Sequence, residues 1–319
     1  MTDDRRKDAV TGADEPMVPT RATGAEIDAA RLSVERRTEG RRERKSVVVR
    51  RRIREELAED AAAAEAYVDV DEEELTEPII ELDHVSLAFD RPILEDVSLT
   101  ARKGETLCLV GESGTGKSTA LKLILRLLVP DRGRVCIQGK DITSLTFEEA
   151  LEVRQNMGMV FQSAALFDSM SVFENVAYPL REHTALTEDE IVQRVREKLE
   201  FVDLVPDEIM TKLPSQLSGG MRKRVGIARG MADNPAIMLY DEPTSGLDPL
   251  STGTITRLIM KLQRELDVTS VVVSHDIRSV FRMATRIAVL NERHIAFFGT
   301  PEEMAASEDR YLRDFLGGF

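Results

Sequence analysis

The chain of 319 residues has no tryptophan, two cysteines and an aromatic content of only 5%. Cys108 and Cys136 each lie inside an apolar strand-like run. They read as buried thiols of a reducing compartment, not as a disulfide framework or a metal site. No run of about 18 apolar residues exists, so no transmembrane helix is encoded. The longest candidate, Leu121–Val129, is short and interrupted by Lys122 and Arg126. The opening Met1-Thr2-Asp3-Asp4 has no apolar core, and its acidity argues against a transit peptide. The expectation is a cytosolic protein, unless a partner holds it at a membrane. Cations are outnumbered, 43 Lys and Arg against 57 Asp and Glu, for a net charge of −14. General affinity for nucleic acid is therefore not favoured. Hydrophobic residues make up 42% of the chain, enough for a sizeable core in one large domain or two small ones.

Charge is distributed in blocks. Arg31 to Arg54 is dense in arginine, with Arg36-Arg37, Arg41-Arg42 and Arg50-Arg51-Arg52. Glu55 to Glu77 contains no lysine or arginine and carries Asp69, Asp71, Glu72, Glu73 and Glu74. Such blocks bury too little apolar surface to offset ordering entropy. Residues 1–77 are expected to form a disordered charged arm, with a transient helix near Val34–Leu57. One reading is a solvated tail whose halves neutralise each other. A second is contact of the basic block with anionic lipid headgroups, worth about 1 kcal/mol per residue near the surface, and a third is contact of that block with nucleic acid.

The chain is organised around Gly111-Glu112-Ser113-Gly114-Thr115-Gly116-Lys117-Ser118-Thr119, which fits the phosphate-binding loop G-x-x-x-x-G-K-[ST]. Glycines let backbone N–H groups approach polyphosphate oxygens, and the following helix offers its positive N-terminus to the same charges. Lys117 would reach the β- and γ-phosphates and the Ser118 hydroxyl would ligate Mg²⁺. The context agrees: Thr106–Val110 reads as a buried strand and Leu121–Leu128 as a largely buried helix.

Further strands are expected at Ile79–Phe89, Ile93–Leu99, Gly133–Ile137, Met157–Phe161, Met238–Tyr240, Val268–Ser274, Arg286–Leu290 and Ile295–Phe298. Helices are expected over Ser171–Asp203, interrupted near Pro179, over Leu250–Leu266, and in the tail 301–319. Alternating strands and helices imply an α/β fold with a largely parallel sheet. Asp241 and Glu242 follow a buried strand, where a carboxylate can serve a Mg²⁺ that bridges phosphates and its neighbour can orient or deprotonate a water. His275 directly follows another buried strand, at the sheet edge where open α/β folds bind ligands. Leu217-Ser218-Gly219-Gly220 opens a helix and forms a second anion-binding terminus. Two such loops about 100 residues apart suggest a dimer that shares nucleotide.

This set of motifs resembles the ATP-binding-cassette ATPases over about residues 78–300. The resemblance implies a P-loop ATPase domain with a parallel core sheet, an antiparallel β subdomain and a helical subdomain at about 163–233. It also implies that Phe89, in place of the usual tyrosine, stacks on adenine. Ser118 and Gln162 would ligate Mg²⁺, with Asp241 in support. Glu242 would be the catalytic base, and His275 would contact the γ-phosphate. Ser218, Gly219 and Gly220 would bind the nucleotide of the opposite subunit in a homodimer closed by two ATP molecules. Asp248 belongs to the loop Ser245-Gly246-Leu247-Asp248 of the same constellation. Tyr240 also departs from the family pattern, and its hydroxyl needs a partner to be tolerated.

A narrower resemblance rests on Phe161–Thr184, on Leu217–Arg224 with Met221 after the glycines, and on Gly299–Met304 followed by Tyr311–Leu316. These are similar to the ATPase subunits of Mla and Mce-associated lipid transporters. That implies a peripheral protein on the cytoplasmic side of the inner membrane, partnered by a permease and a Mce-type lipid-binding protein. Ser163–Thr184 mixes aromatics with charge, as a docking surface for a partner helix does. The rivals are a cassette ATPase for amino acids or small polar solutes, and a soluble cassette ATPase acting on DNA or ribosomes. Acidic charge and the lack of a coiled-coil insertion between Lys117 and Ser218 oppose the second.

Overall fold

The computed structural model describes residues 78–317. The charged segment 1–77 and the last two residues of the tail lie outside the described residues.

Two sheets form from strands of different character. Pro78–Ala88 (β1) and Pro92–Arg102 (β2) alternate buried and exposed positions and pair antiparallel around a turn at Asp90-Arg91. Arg132–Ile137 (β4) pairs antiparallel with β1, and the short Lys140–Asp141 (β5) adds to β4, giving the order β2-β1-β4-β5. One wet face and one buried face suit this antiparallel sheet.

The second sheet is built from Thr106–Val110 (β3), Met157–Val160 (β6), Ile237–Asp241 (β7), Thr269–Val273 (β8), Arg286–Asn291 (β9) and His294–Gly299 (β10). Their order in it is β10-β9-β3-β8-β7-β6. β9, β3, β8, β7 and β6 are parallel, and only β10 is antiparallel. Every residue of β3 and β8 is buried, as expected where both faces are covered. Successive side chains point to opposite faces. Cys108, Val110, Met238, Tyr240, Val272, Ile287 and Val289 accordingly enter one core, and Leu107, Leu109, Ile237, Leu239, Val271, Val273 and Ala288 enter the other.

The second of these cores is filled by the antiparallel sheet and by helix Lys117–Ile124 (α1), with Leu82, Val97, Leu121 and Ile124. The first is filled by a helical layer. It comprises Val172–His183 (α3), Glu188–Phe201 (α4), the short Pro206–Ile209 (α5) and Gly219–Gly230 (α6). Pro249–Leu266 (α7), Ile277–Met283 (α8), Pro301–Ala306 (α9) and Arg310–Gly317 (α10) complete that side. Phe147–Gln155 (α2) precedes β6. At Gly158 of β6 an added Cβ would meet the Gly230 carbonyl at 2.1 Å and the Met238 sulfur at 2.2 Å. Only glycine lets the end of α6 lie so close against the sheet.

The helical stretch Ser171–Asp203 is broken, but not at Pro179, which lies inside α3. An interior proline removes a hydrogen bond, yet Val176, Ala177 and Leu180 around it are buried and hold the helix together. The break comes at Thr184–Thr187. Thr184 Oγ1 donates to the Leu180 carbonyl at 2.6 Å, and Thr187 and Glu190 form a reciprocal cap that starts α4.

Tyr240 is wholly buried in β7, and its hydroxyl has no partner in hydrogen-bond geometry among the described residues. Burial pushes the phenol pKa up, and the Ser270 hydroxyl beside it, not within hydrogen-bond geometry of it, pulls the other way. An unmade bond on a buried hydroxyl costs stability. Tyr240→Phe is therefore expected to leave unfolding free energy unchanged or raise it by up to about 1 kcal/mol in a denaturant titration. A loss of that size would show that the hydroxyl is satisfied.

Candidate functional site

Four loops leave the carboxyl ends of the adjacent parallel strands β3, β8, β7 and β6 and meet in one cleft of about 1000 Å³. From β3 come Gly111, Glu112, Ser113, Gly114 and Gly116, with Lys117, Ser118 and Thr119 opening α1. β6 supplies Gln162, β7 supplies Asp241 and Glu242, and β8 supplies His275. Residues far apart in sequence thus share one space, because parallel pairing aligns the strand ends.

The phosphate loop needs glycine where it bends. Gly111 has φ +149°, and a Cβ there would meet the Leu290 carbonyl at 2.2 Å. Gly116 has φ +105° and caps α1 in the left-handed region, with no side-chain cap over the helix N-terminus. That end keeps its N–H groups free for an anion. Thr115 does not line the cleft. Its hydroxyl donates to the Glu112 carbonyl at 2.9 Å and shapes the loop.

Lys117 is buried, and its ammonium donates to the carbonyls of Gly111 at 2.8 Å and Glu112 at 2.7 Å. Burial lowers its pKa, while the nearby carboxylates of Glu242 and Asp241 work the other way. Ser118 Oγ donates to Asp241 Oδ1 at 2.9 Å. Gln162 Nε2 donates to Ser245 Oγ at 3.3 Å. His275 Nδ1 lies 2.7 Å from Glu242 Oε2, with the imidazole largely exposed and the carboxylate largely buried.

Glu242 adopts φ +50°, a left-handed conformation rare for a residue with a side chain. Its N–H donates to the Val273 carbonyl at 2.9 Å, and its own carbonyl accepts from Ser245 N–H at 3.2 Å. The same carbonyl accepts from the Lys223 ammonium at 3.1 Å. Strained backbone persists only where surroundings over-determine it, and three partners do so here.

Several sequence-derived candidates lie elsewhere. Phe89 is 62% exposed at the β1–β2 turn and does not line the cleft; Ile93, at the start of β2, does. Ser218 caps α6 by accepting from Met221 N–H at 3.2 Å, and Gly219 and Gly220 form the first turn, all outside the cleft of their own chain. Asp248 also lies outside it. It caps α7, accepting from Leu250 N–H and Ser251 N–H at 3.0 Å each; hydrogen bonds from Ser251 and Leu250 lower its pKa.

Other residues were not found by sequence reasoning. Tyr311, Asp314 and Phe315 of α10 form part of the cleft wall, although nothing in the tail's composition marks them as phosphate neighbours. Lys223, inside the run Arg222-Lys223-Arg224, is buried on the inner face of α6. Its one sequence signal is a spacing of four from the buried Ile227.

Behind Gln162 the chain passes Ala164 and Ala165 with φ +63° and +44°. Arg229 donates to both carbonyls, at 3.0 and 2.8 Å. The buried Asn175 side chain accepts from Phe167 N–H at 2.8 Å and donates to the carbonyls of Phe167, Met170 and Ser171. So pinned, Phe161, Phe167 and Tyr178 stay about two-fifths exposed, with the Phe167 and Tyr178 rings 5.2 Å apart.

If Lys117 supplies the charge that holds phosphate, Lys117→Ala should weaken binding of a fluorescent ATP analogue by about tenfold or more, equivalent to ~1.4 kcal/mol. Unchanged affinity would contradict the reading of the loop.

Comparison with known proteins follows the same lines. Residues 94–245 match the family model of the ABC transporter. The chain is 44% identical over 226 residues to a probable ribonucleotide transport ATP-binding protein, mkl, of Mycobacterium tuberculosis, covering 71% of this chain and 62% of that protein. This chain thus spans less than two thirds of the mycobacterial relatives' length. It is 43% identical over 229 residues to the intermembrane phospholipid transport system ATP-binding protein MlaF of Haemophilus influenzae, covering 72% of this chain and 86% of that protein. Among solved structures, the cassette MJ0796, a dimer in a post-hydrolysis state with ADP and Pi, superposes with a TM-score of 0.64 at 33% identity. That match covers 70% of this chain and 98% of the other. CbiO1 of Clostridium perfringens, part of an ABC transporter complex, gives a TM-score of 0.67 at 29% identity, covering 72% and 92%. On the strength of the MlaF match, with the strand-edge loops in the arrangement described, the chain belongs to the ABC transporter family of ATP-binding cassettes.

Proposed function

We propose that the chain is the ATP-hydrolysing subunit of a transporter that moves phospholipid or a related lipid across or between membranes. The observation that carries the hydrolytic half is the Glu242–His275 pair, 2.7 Å apart, opening into the same cleft as Lys117 and the phosphate loop. Phosphoryl transfer asks the protein mainly for positioning and charge stabilisation. Lys117 and the α1 N-terminus would hold the β- and γ-phosphates. Phe89, exposed at the β1–β2 turn that leads to the cleft-lining Ile93, would stack on adenine. Glu242 would orient or deprotonate a water for attack on the γ-phosphorus as the bond to the β–γ bridging oxygen breaks. His275 holds the Glu242 carboxylate in place and stands where it can meet the γ-phosphate.

Ser118, Gln162 and Asp241 fit a Mg²⁺ ion by the chemistry of their donors, which are hard oxygens few in number. Among the described residues no group of three or more His, Cys, Asp or Glu forms a metal cage. That suits an ion completed by phosphate oxygens and water rather than by protein alone. When held by these residues, Mg²⁺ would supply positive charge that neutralises the phosphate oxygens.

The signature residues Ser218, Gly219 and Gly220, exposed or half-exposed and outside the cleft of their own chain, would bind the γ-phosphate held by a second copy. Two ATP molecules would then close a homodimer. Asp248 would act in that interface from the N-terminus of α7. The pinned aromatic surface of Phe161, Phe167 and Tyr178 would receive a helix of a membrane permease. No described helix is long and apolar enough to cross a membrane, so attachment would be peripheral, on the cytoplasmic side. A Mce-type lipid-binding protein would complete the transporter.

The lipid reading rests on the MlaF relatives and on the Phe161–Thr184 surface. The mycobacterial relatives are named for ribonucleotide transport, and that name supplies the second reading. Purifying the tagged protein from membranes and identifying co-purified proteins and lipids by mass spectrometry separates the two. Recovery of a multi-span permease with phospholipid supports lipid transport. Recovery of a permease with a soluble solute-binding protein rejects it. Glu242→Gln is expected to lower phosphate release by about a hundredfold or more while ATP stays bound and a dimer persists on size exclusion. Undiminished release would remove Glu242 from its assigned role.

A further inference from the structure

Lys223 is a buried cation without an ion-pair partner at bonding distance among the described residues. Its side chain is 5% exposed on the inner face of α6, one turn beyond the signature glycines. Burial lowers its pKa, against the pull of the Glu242 and Asp241 carboxylates. Keeping a desolvated ammonium costs free energy unless its donors are used. They are used in an unusual way. One bond goes to the main-chain carbonyl of Gln162 and another, at 3.1 Å, to the main-chain carbonyl of Glu242.

Those two carbonyls belong to loops that leave neighbouring strands, β6 and β7. Each has a geometrical reason to need an anchor. Glu242 is held at φ +50°. The Gln162 loop leads into the left-handed pair Ala164 and Ala165, which Arg229 from the same helix secures. Helix α6 therefore reaches the catalytic edge of the sheet with two cations, Lys223 at its first turns and Arg229 at its last. A neutral apolar side chain at 223 would leave both carbonyls without that donor, and the carboxylate of Glu242 would lose its fixed reference to Gln162.

We propose that Lys223 is a positioning residue for ATP hydrolysis. It sets the distance between the Gln162 loop and Glu242, and ties both to the helix that carries Ser218, Gly219 and Gly220. Nucleotide held in the phosphate loop by Lys117 does not touch Lys223, so its affinity should be nearly independent of this clamp. The rate of the chemical step should depend on it. This inference rests on the hydrolytic reading given above.

The experiment compares steady-state MgATP hydrolysis and binding of a fluorescent ATP analogue in the full chain, for the natural sequence, Lys223→Met and Lys223→Arg. Lys117→Ala serves as the nucleotide-binding control. The expected result for Lys223→Met is a fall in kcat of about tenfold or more with analogue affinity within about threefold, the pattern of an interaction that matters only in the transition state. Lys223→Arg, which keeps charge and donors, is expected to retain at least about a third of kcat. If Lys223→Met does not fold, as judged by thermal unfolding, Lys223→Ala carries the same comparison, because its smaller side chain lets water satisfy the carbonyls. A folded Lys223→Met or Lys223→Ala protein with unchanged kcat overturns the proposal. So does a loss of analogue affinity as large as that of Lys117→Ala. Absence of hydrolysis in the natural sequence, with analogue still bound, would instead reject the hydrolytic reading itself.

Discussion

Parallel pairing of β3, β8, β7 and β6 is the constraint on which the site depends. Each strand delivers its carboxyl end to the same edge, and a single register fixes the heights of four loops. The pairings Val160–Tyr240 and Asp241–Val273 put Gln162, Glu242 and His275 a few residues beyond aligned positions. A strand buried on both faces cannot slip without exposing apolar side chains, so the register is as firm as the two cores it separates. The cores differ in kind. One joins the sheet to an antiparallel β layer that supports α1, and the other to the helices that carry the signature turn.

Charge inside this frame is handled by backbone carbonyls more than by ion pairs. Lys117 and Lys223 are both buried, and each ends on two main-chain oxygens. The carboxylates of Asp241 and Glu242 bond instead to Ser118 and His275. Lys117 thus shares the cleft with the two carboxylates without cancelling them in direct contact, and Lys223 lies behind the cleft, outside its lining. That leaves Lys117 free to act on an incoming polyanion in a region of low dielectric, where a fixed charge is worth more than in water. The exposed aromatics behind Gln162 connect this chemistry to the surface through a loop held by Asn175 and Arg229.

Much of this was legible in the residues. The apolar runs at Thr106–Val110 and Thr269–Val273 are dense enough in Val, Leu and Thr to announce buried strands, and a glycine-rich phosphate loop set between a buried strand and a helix is specific to polyphosphate binding. Weaker signals marked the rest. Helix α2 carries a reciprocal cap, with Thr146 Oγ1 accepting from Glu149 N–H at 3.3 Å. The pattern Thr146-Phe147-Glu148-Glu149 could have revealed it, but only Ala150 of the helix is buried, so no apolar stripe pointed there. Pro179 looked like a helix end, since proline lacks a donor; tertiary burial of Val176 and Leu180 outweighed local propensity. In the sequence Lys223 falls only within the stretch Leu217–Arg224 that carries the signature, with no role of its own. Its burial is a tertiary fact, set by where α6 meets two loops distant in sequence. The participation of Tyr311, Asp314 and Phe315 in the cleft is of the same kind.

In the proposed homodimer each nucleotide lies between the phosphate loop of one copy and the signature turn of another. Thiol cross-linking between two single-substitution proteins tests it directly, one carrying Thr115→Cys and the other Ser218→Cys, mixed and oxidised with and without ATP. The native thiols serve as the background control, with Cys108 buried and Cys136 half-buried. A site shared in this way yields a covalent heterodimer that forms with ATP in the mixture and not in either protein alone. No cross-link with ATP, or one equally strong without it, would contradict the shared site.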